Sequence, residues 1–267
     1  MTLPLRRGRS PQLGLAVALV LLPSLVWAAE RGSRVPKFGE FNPDHQTVEM
    51  FSAIAKGDIE VKLIPKDSTQ CRVMIENKTK QPLNIKLPEA FAGVPVLAQP
   101  GFGGAGMGGG GNNFGGGQGM GGGMGMGGGG MGGMGMGMMN VPPEKVGKLE
   151  VTTVCLEHGK PEPRPNMQYE IKPIGEFTDK AEVRELCRML GTGRIDQRAA
   201  QVAAWHLNNE MSWQELAAKQ LRRANGISRP YFSPMELQAG MQISAMATAM
   251  AEQRKKSPGE DDTLSRN

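Results

Sequence analysis

From Gly101 to Met139, 24 of 39 residues are glycine and nine are methionine. Glycine loses more backbone freedom on ordering than any other residue, and it brings no side chain to offset that loss. The tract has no repeat of three, which excludes a collagen-like helix. It reads as a disordered insert spanning 101–139. Strand-like sequence stands on both sides of it, so the tract is expected to be a long loop within a sheet domain and not a linker between domains.

Before the tract, Ile59, Val61 and Leu63 share one parity, as do Cys71, Val73 and Ile75, and then Leu83, Ile85 and Leu87. Period two marks half-buried strands, and Pro65–Ser68 and Asn77–Lys80 supply turns between them. After it, Leu149, Val151, Thr153 and Cys155 alternate again, and Tyr169 and Ile171 mark a further strand. Repeated short strands predict an antiparallel β-sandwich over 47–177. From Thr178 the period lengthens. Val183, Leu186, Cys187 and Leu190 form one helical face, with Asp179 and Glu182 expected to cap it. A second helix is predicted over Asp196–Leu207. A third starts at the capping box Ser212-Trp-Gln-Glu215, and a fourth starts at Ser233-Pro-Met-Glu236 and runs to about Lys255. The helical segment covers 178–256 and a loose tail 257–267. The expected class is α+β: a β-sandwich with a Gly/Met-rich loop, followed by helices.

Arg6, Arg7 and Arg9 precede an apolar run from Leu13 to Leu22, and Val26-Trp27-Ala28 places small residues before a cleavage point. This is the pattern of a secretory signal peptide over 1–28, followed by a flexible lead-in over 29–46. The run is shorter than the roughly 20 residues a spanning helix needs, so no transmembrane anchor is expected. Loss of three arginines reduces 31 basic residues to 28 against 26 acidic ones. Bulk charge therefore gives no support for nucleic-acid binding. The implied location is secreted, periplasmic or otherwise in the cell envelope.

The segments Phe51-Ser-Ala-Ile-Ala-Lys-Gly-Asp-Ile-Glu-Val-Lys62, Pro88-Glu-Ala-Phe-Ala-Gly-Val-Pro-Val-Leu-Ala-Gln99, Val154-Cys-Leu-Glu-His-Gly-Lys160 and Gln201-Val-Ala-Ala-Trp-His206 resemble a family of uncharacterised exported proteins of planctomycete-type bacteria. That resemblance implies a secretory context and no particular activity. The Val-Cys-Leu strand and the Gln-x-x-Ala-Trp helix also resemble, locally, the two halves of bacterial surface thioester domains. That likeness implies an internal thioester between Cys155 and Gln201.

Four residues stand out as candidate site residues: Cys155, His158, Cys187 and Gln201. After cleavage the chain keeps Cys71, Cys155 and Cys187, and in an oxidising compartment two could pair. Their apolar positions equally suit buried structural thiols. Cys155, His158, Cys187 and His206 offer ligands for zinc or copper, without the spacing of a standard zinc module. The nine thioethers of the tract would suit Cu(I), or simply decorate a spacer. Cys155 with His206 would suit a cysteine hydrolase if folding brought them together. Gln197, Gln201 and Trp205 form an odd i, i+4, i+8 row for a core face, so contact with the sheet or with a partner is expected there. His45, in the lead-in, is given no role. The reading is a structural or interaction protein of unknown ligand, not an enzyme, without a cofactor; its partner is not identified by the sequence, and a protein or another cell-envelope component would suit it. A copper-handling protein and a thioester adhesin are the alternatives.

Overall fold

The computed structural model describes residues 41–96, 117–124, 137–222, 226 and 228–256. The expected signal peptide, most of the expected lead-in and the tail 257–267 lie outside them. Strand β1 (Gln46–Glu49) turns at once into helix α1 (Met50–Lys56). The Glu49 carboxylate accepts from the amides of Phe51 and Ser52 and so caps that helix. Gly57 ends α1 at φ 77, in the left-handed region that a side chain disfavours.

Strands β2 (Ile59–Pro65) and β3 (Gln70–Asn77) form a hairpin. Asp67 holds its turn by accepting from the amides of Thr69 and Gln70. After β4 (Leu83–Lys86) and β5 (Phe91–Pro95) come β6 (Met120–Gly122), β7 (Met138–Val141), β8 (Val146–Cys155) and β9 (Tyr169–Pro173). Six of these close into a barrel in the order β2-β3-β8-β6-β5-β9, with β9 pairing to β2 through Leu63 and Tyr169. Leu63, Val73, Ile75, Phe91, Met120, Val151 and Ile171 are buried together in one core. A smaller sheet, β1-β4-β7, extends that core with Ile85, Met139 and Val141.

The expected sandwich is thus corrected to a closed barrel. Period two shows that a sheet has an apolar face; it does not show whether the edges of the sheet meet. The strand that bridges β8 and β5 is β6, and it comes from the Gly/Met tract. The expectation that the whole of 101–139 is a disordered insert therefore fails for 117–124 and 137–139. Met120, Met124 and Met139 are core residues. The remainder of the tract lies outside the described residues.

Helix α2 (Ile174–Phe177) follows β9 directly, then α3 (Ala181–Gly191), α4 (Gln197–Asn209) and α5 (Trp213–Ala218). The hairpin β10 (Gln220–Arg222) and β11 (Ser228–Pro230) leads to α6 (Pro234–Lys256). The predicted face Val183, Leu186, Cys187 and Leu190 is buried, against Ala92, Val154 and Leu156 of the barrel. Both predicted capping boxes form, at Ser212/Glu215 and Ser233/Glu236. The expected cap of α3 does not. Its N-cap is Lys180, with no side-chain bond.

Glycine lets α3 approach β6 closely. A Cβ on Gly121 would lie 2.7 Å from the Cys187 sulfur, and one on Gly123 would lie 2.5 Å from the Cys187 carbonyl oxygen. The Gly123→Ala substitution should therefore force helix and barrel apart. Overpacking of this kind costs roughly 1–3 kcal/mol. Urea unfolding should show that loss, whereas wild-type stability in Gly123→Ala would mean the contact is loose.

Candidate functional site

Strand β8 sets the problem that the site solves. One edge pairs with β6, with Met120 opposite Cys155. The other pairs with β3 only as far as Thr152, opposite Gln70, and Thr153 donates to the Thr69 carbonyl. Beyond that point the polar main chain of β8 would be buried without a partner, which is costly.

Helix α4 supplies the partners. Gln197 Nε2 donates to the Thr153 carbonyl at 2.9 Å. The Gln201 carboxamide accepts from the Cys155 amide and donates to the Cys155 carbonyl, both at 2.8 Å. Asn208 Nδ2 donates to the Leu156 carbonyl at 2.6 Å, and Asn209 Oδ1 accepts from the His158 amide at 3.1 Å. Residues 197, 201, 205 and 208 share one helical face. The strand ends at Cys155 and the chain bends from Glu157 onward. Gln197 and Gln201 therefore serve the open edge of the strand, and Asn208 and Asn209 hold the turn that follows it. The row Gln197, Gln201, Trp205 does meet the sheet, as its odd composition suggested.

The structure brings Cys155 and Gln201 together through the main chain of the cysteine. The carboxamide lies in line with the strand's hydrogen-bonding edge, whereas the thiol faces the Ser68 carbonyl oxygen at 3.9 Å. Cys155 is buried, and burial pushes its thiol up to about 12. Cys187 is also buried, with its thiol pushed up to about 12, as is that of Cys71. All three are free, buried thiols, so the pairing that the sequence left open is not present. Cys71 stands opposite Val151 across the β3–β8 ladder. Cys155 lies four residues further on, about 13 Å along the strand, too far for a disulfide.

His158 takes a different neighbourhood from Cys155 and Cys187. Its Nε2 accepts from the Lys219 ammonium at 2.7 Å, which places the ring proton on Nδ1, and the ring meets Trp205 edge-on at 4.8 Å. Lys219 also lies 5.1 Å from the ring centres of Trp205 and Tyr231. Arg198 sits over Tyr231 and Phe232, is paired with Glu236 and donates to the Tyr231 carbonyl. This aromatic and cationic cluster lies along one flank of α4; sequence reading named His158 and Trp205 but did not join them, because the lysine and the other aromatics come from separate parts of the chain. Burial, then the Lys219 charge, holds His158 below its ordinary range.

His206 donates from Nδ1 to the Met211 carbonyl and stacks on Trp213 at 3.8 Å. It makes no hydrogen bond to Cys155, so the nucleophile–base pair is not assembled. Among the described residues no group of three His, Cys, Asp or Glu side chains is placed to hold a metal ion. His45, given no role from sequence, accepts at Nδ1 from Asn140, which also donates to Asn84. It joins β7 and β4 to the entering chain. Comparison with known families, curated proteins and solved structures gives no match.

Two outcomes follow. Gln201→Leu strands a buried amide and a buried carbonyl of Cys155, at about 1–3 kcal/mol each. Denaturant unfolding of this variant should show a loss well above that of an exposed Gln→Leu control such as Gln214→Leu. The neutral form of His158 is the one the fold favours. As pH falls through the ordinary histidine value of about 6.5, the unfolded chain takes up the proton first, and stability present above that value is lost toward the lower folded value. The melting temperature should fall between pH 7 and 5. In His158→Gln, which can still accept from Lys219 but cannot titrate, that slope should flatten; an unchanged slope would show that His158 does not set it.

Proposed function

We propose that the chain is an exported structural or interaction protein that docks to its partner through the outward face of α6. One observation carries this reading. Of the seven large apolar side chains exposed among the described residues, four lie on this one helix, Met235, Met241, Met246 and Met250, and Phe41, Ile64 and Val96 lie elsewhere. From Leu237 to Ala251 the helix carries no charge at all. Its inward face is already satisfied by Gly240, Ile243, Ser244, Ala247 and Ala251, packed against α3 and α4. Apolar side chains scattered singly on a surface need no explanation, but four on one helix, three of them in a stretch without charge, mark it as a contact surface. Methionine suits such a surface, because its flexible thioether adapts to the shape opposite.

Export rests on Arg6 to Ala28, and the expected N-terminus of the mature protein is Ala29. N-terminal sequencing of secreted or periplasmic material checks this; a mature chain that still begins at Met1 would remove the export half of the reading. Among the described residues no helix is long and apolar enough to cross a membrane.

Docking is tested in the producing cell. A photo-crosslinking side chain placed at Met246 should give a discrete cross-linked protein band, and the same side chain at Glu170, an exposed residue of β9, should give none. Failure to cross-link at Met246 would end the docking reading. The thioester alternative has its own readout. Intact mass should fit three free thiols, without the loss of about 17 Da that ammonia release on thioester formation would bring.

A further inference from the structure

We infer that Lys219 is a nucleophilic amine that captures a small uncharged aldehyde as an imine, with His158 relaying its proton; this goes beyond the docking reading and does not depend on it. What sets Lys219 apart is its partner. Lys62, Lys78, Lys160, Lys172 and Lys180 each hold a carboxylate within 3.5 Å. Lys219 instead meets the imidazole of His158, Nζ to Nε2 at 2.7 Å, and no carboxylate is within bonding distance of it among the described residues. Its neighbour is a base that can take a proton, not an acid that would hold the charge.

Main-chain bonds fix both partners. The His158 amide donates to Asn209 Oδ1, and the Lys219 carbonyl accepts from the Tyr231 amide at 2.8 Å, one step beyond the β10–β11 pair Gln220 and Pro230. Lys219 Nζ lies 5.1 Å from the ring centres of Trp205 and Tyr231. Ring faces attract an ammonium, but weakly beside the water they displace. Burial accordingly holds Lys219 below the ordinary lysine range, with the Glu162 carboxylate opposing. The residue is nevertheless half-exposed, so a small solute can reach the nitrogen. Few other charges face the pair. Glu215 of the α5 capping box acts on His158, Glu162 acts on Lys219 and Tyr231, and Arg198 beside Tyr231 is already paired with Glu236. A lysine that is partly desolvated and lacks an acid partner is the kind that forms Schiff bases.

The same surroundings select the carbonyl compound. Trp205 is buried and offers no open ring face to a large group. Glu162 repels an anion and Lys219 itself repels a cation, which leaves a small neutral aldehyde. The Lys219 ammonium passes a proton to His158 Nε2, and the freed electron pair on Nζ bonds to the carbonyl carbon. The carbonyl π pair moves to its oxygen, which takes that proton back from Nε2. A second proton passes from Nζ to the oxygen, the C–O bond breaks, and water leaves. Ammonium and aldehyde have become a protonated imine and one water, with no oxidation or reduction. The imidazolium formed on the way faces Glu215, which favours it.

The experiment treats the folded full-length chain at neutral pH with a limiting amount of propanal and sodium cyanoborohydride. The reductant gives hydride to the imine carbon and leaves a propyl group on the amine, and peptide mapping by mass spectrometry reads which lysines carry it. Lys219 should take roughly ten times the label of Lys62 or more, although Lys62 is the more exposed and sits on Glu60. In urea, where both amines are fully hydrated, that preference should vanish. Equal labelling of the two lysines in the folded chain would overturn the proposal, and this comparison needs no variant. His158→Gln, checked for folding by circular dichroism, still accepts from the ammonium but cannot carry its proton. Its Lys219 label should fall toward that of Lys62; an undiminished label would overturn the relay through His158.

Discussion

The fold depends on a helix standing in for a strand. β8 is the longest strand of the barrel, and β3 leaves it before it ends. The edge left open from Thr153 to Leu156 then runs through the protein interior. Four carboxamides of α4 take the place of the missing strand, and Gln201 does so with both of its polar ends on one residue, as a neighbouring strand would. The net gain from each such bond is about 1 kcal/mol, while leaving a buried group unpaired costs more. The ladder therefore acts chiefly as a constraint on register. A shift of α4 by one turn along β8 would strand several groups at once. The same ladder places Trp205 on His158, and so fixes the cluster at the far end of the helix.

Much of this was legible in the sequence, and the parts that were not share a cause. The period-two runs mark β2, β3, β4 and β8 correctly, because alternation reports directly on a strand with one face in a core. The face Val183, Leu186, Cys187, Leu190 and the capping boxes at Ser212 and Ser233 are local signals and are found where expected. β6 was missed because Met120-Gly121-Gly122 carries no strand signal of its own. Its glycines are there for what lies opposite: Cys187 on one side and Phe91 on the other leave no room for a Cβ. A composition rule sees cheap, flexible residues, and only the packed structure shows that three of the methionines fill the barrel core. Closure of the barrel is therefore a consequence of the one segment whose composition argued against order.

The candidate residues fare unevenly for a related reason. Gln201 was singled out for a covalent link to Cys155 and proves to be its hydrogen-bond partner. Spacing can mark a pair, but it cannot separate a bond to the sulfur from bonds to the main chain. His158 and Cys155 are three residues apart, yet the chain leaves the strand between them, and the histidine goes to Lys219 and Trp205. Cys187, on the apolar face of α3, takes the packing role that its position in that face already indicated. No periodic rule could have joined Lys219, Tyr231 and Arg198, which reach the cluster from three different elements.

The two faces of α6 bring these strands of reasoning together. Its inward face is made of Gly240, Ser244, Ala247 and Ala251, residues so small that α4 and α6 cross with Val202 lying where a Cβ on Gly240 would go. Small residues there serve close packing inside the protein. On the outward face Ala245 and Ala249 repeat that pattern, but with methionines beside them and solvent above. A helix needs alanine at an exposed crest for nothing but propensity, and propensity does not call for Met241, Met246 and Met250 around it. Charged residues would serve solubility better at those positions, and the helix has them as soon as the uncharged stretch ends, at Glu252, Arg254, Lys255 and Lys256. The uncharged stretch stops where a four-turn contact would stop. That coincidence of length, small central residues and adaptable flanks is the physical case for a helix that is only half covered by its own chain.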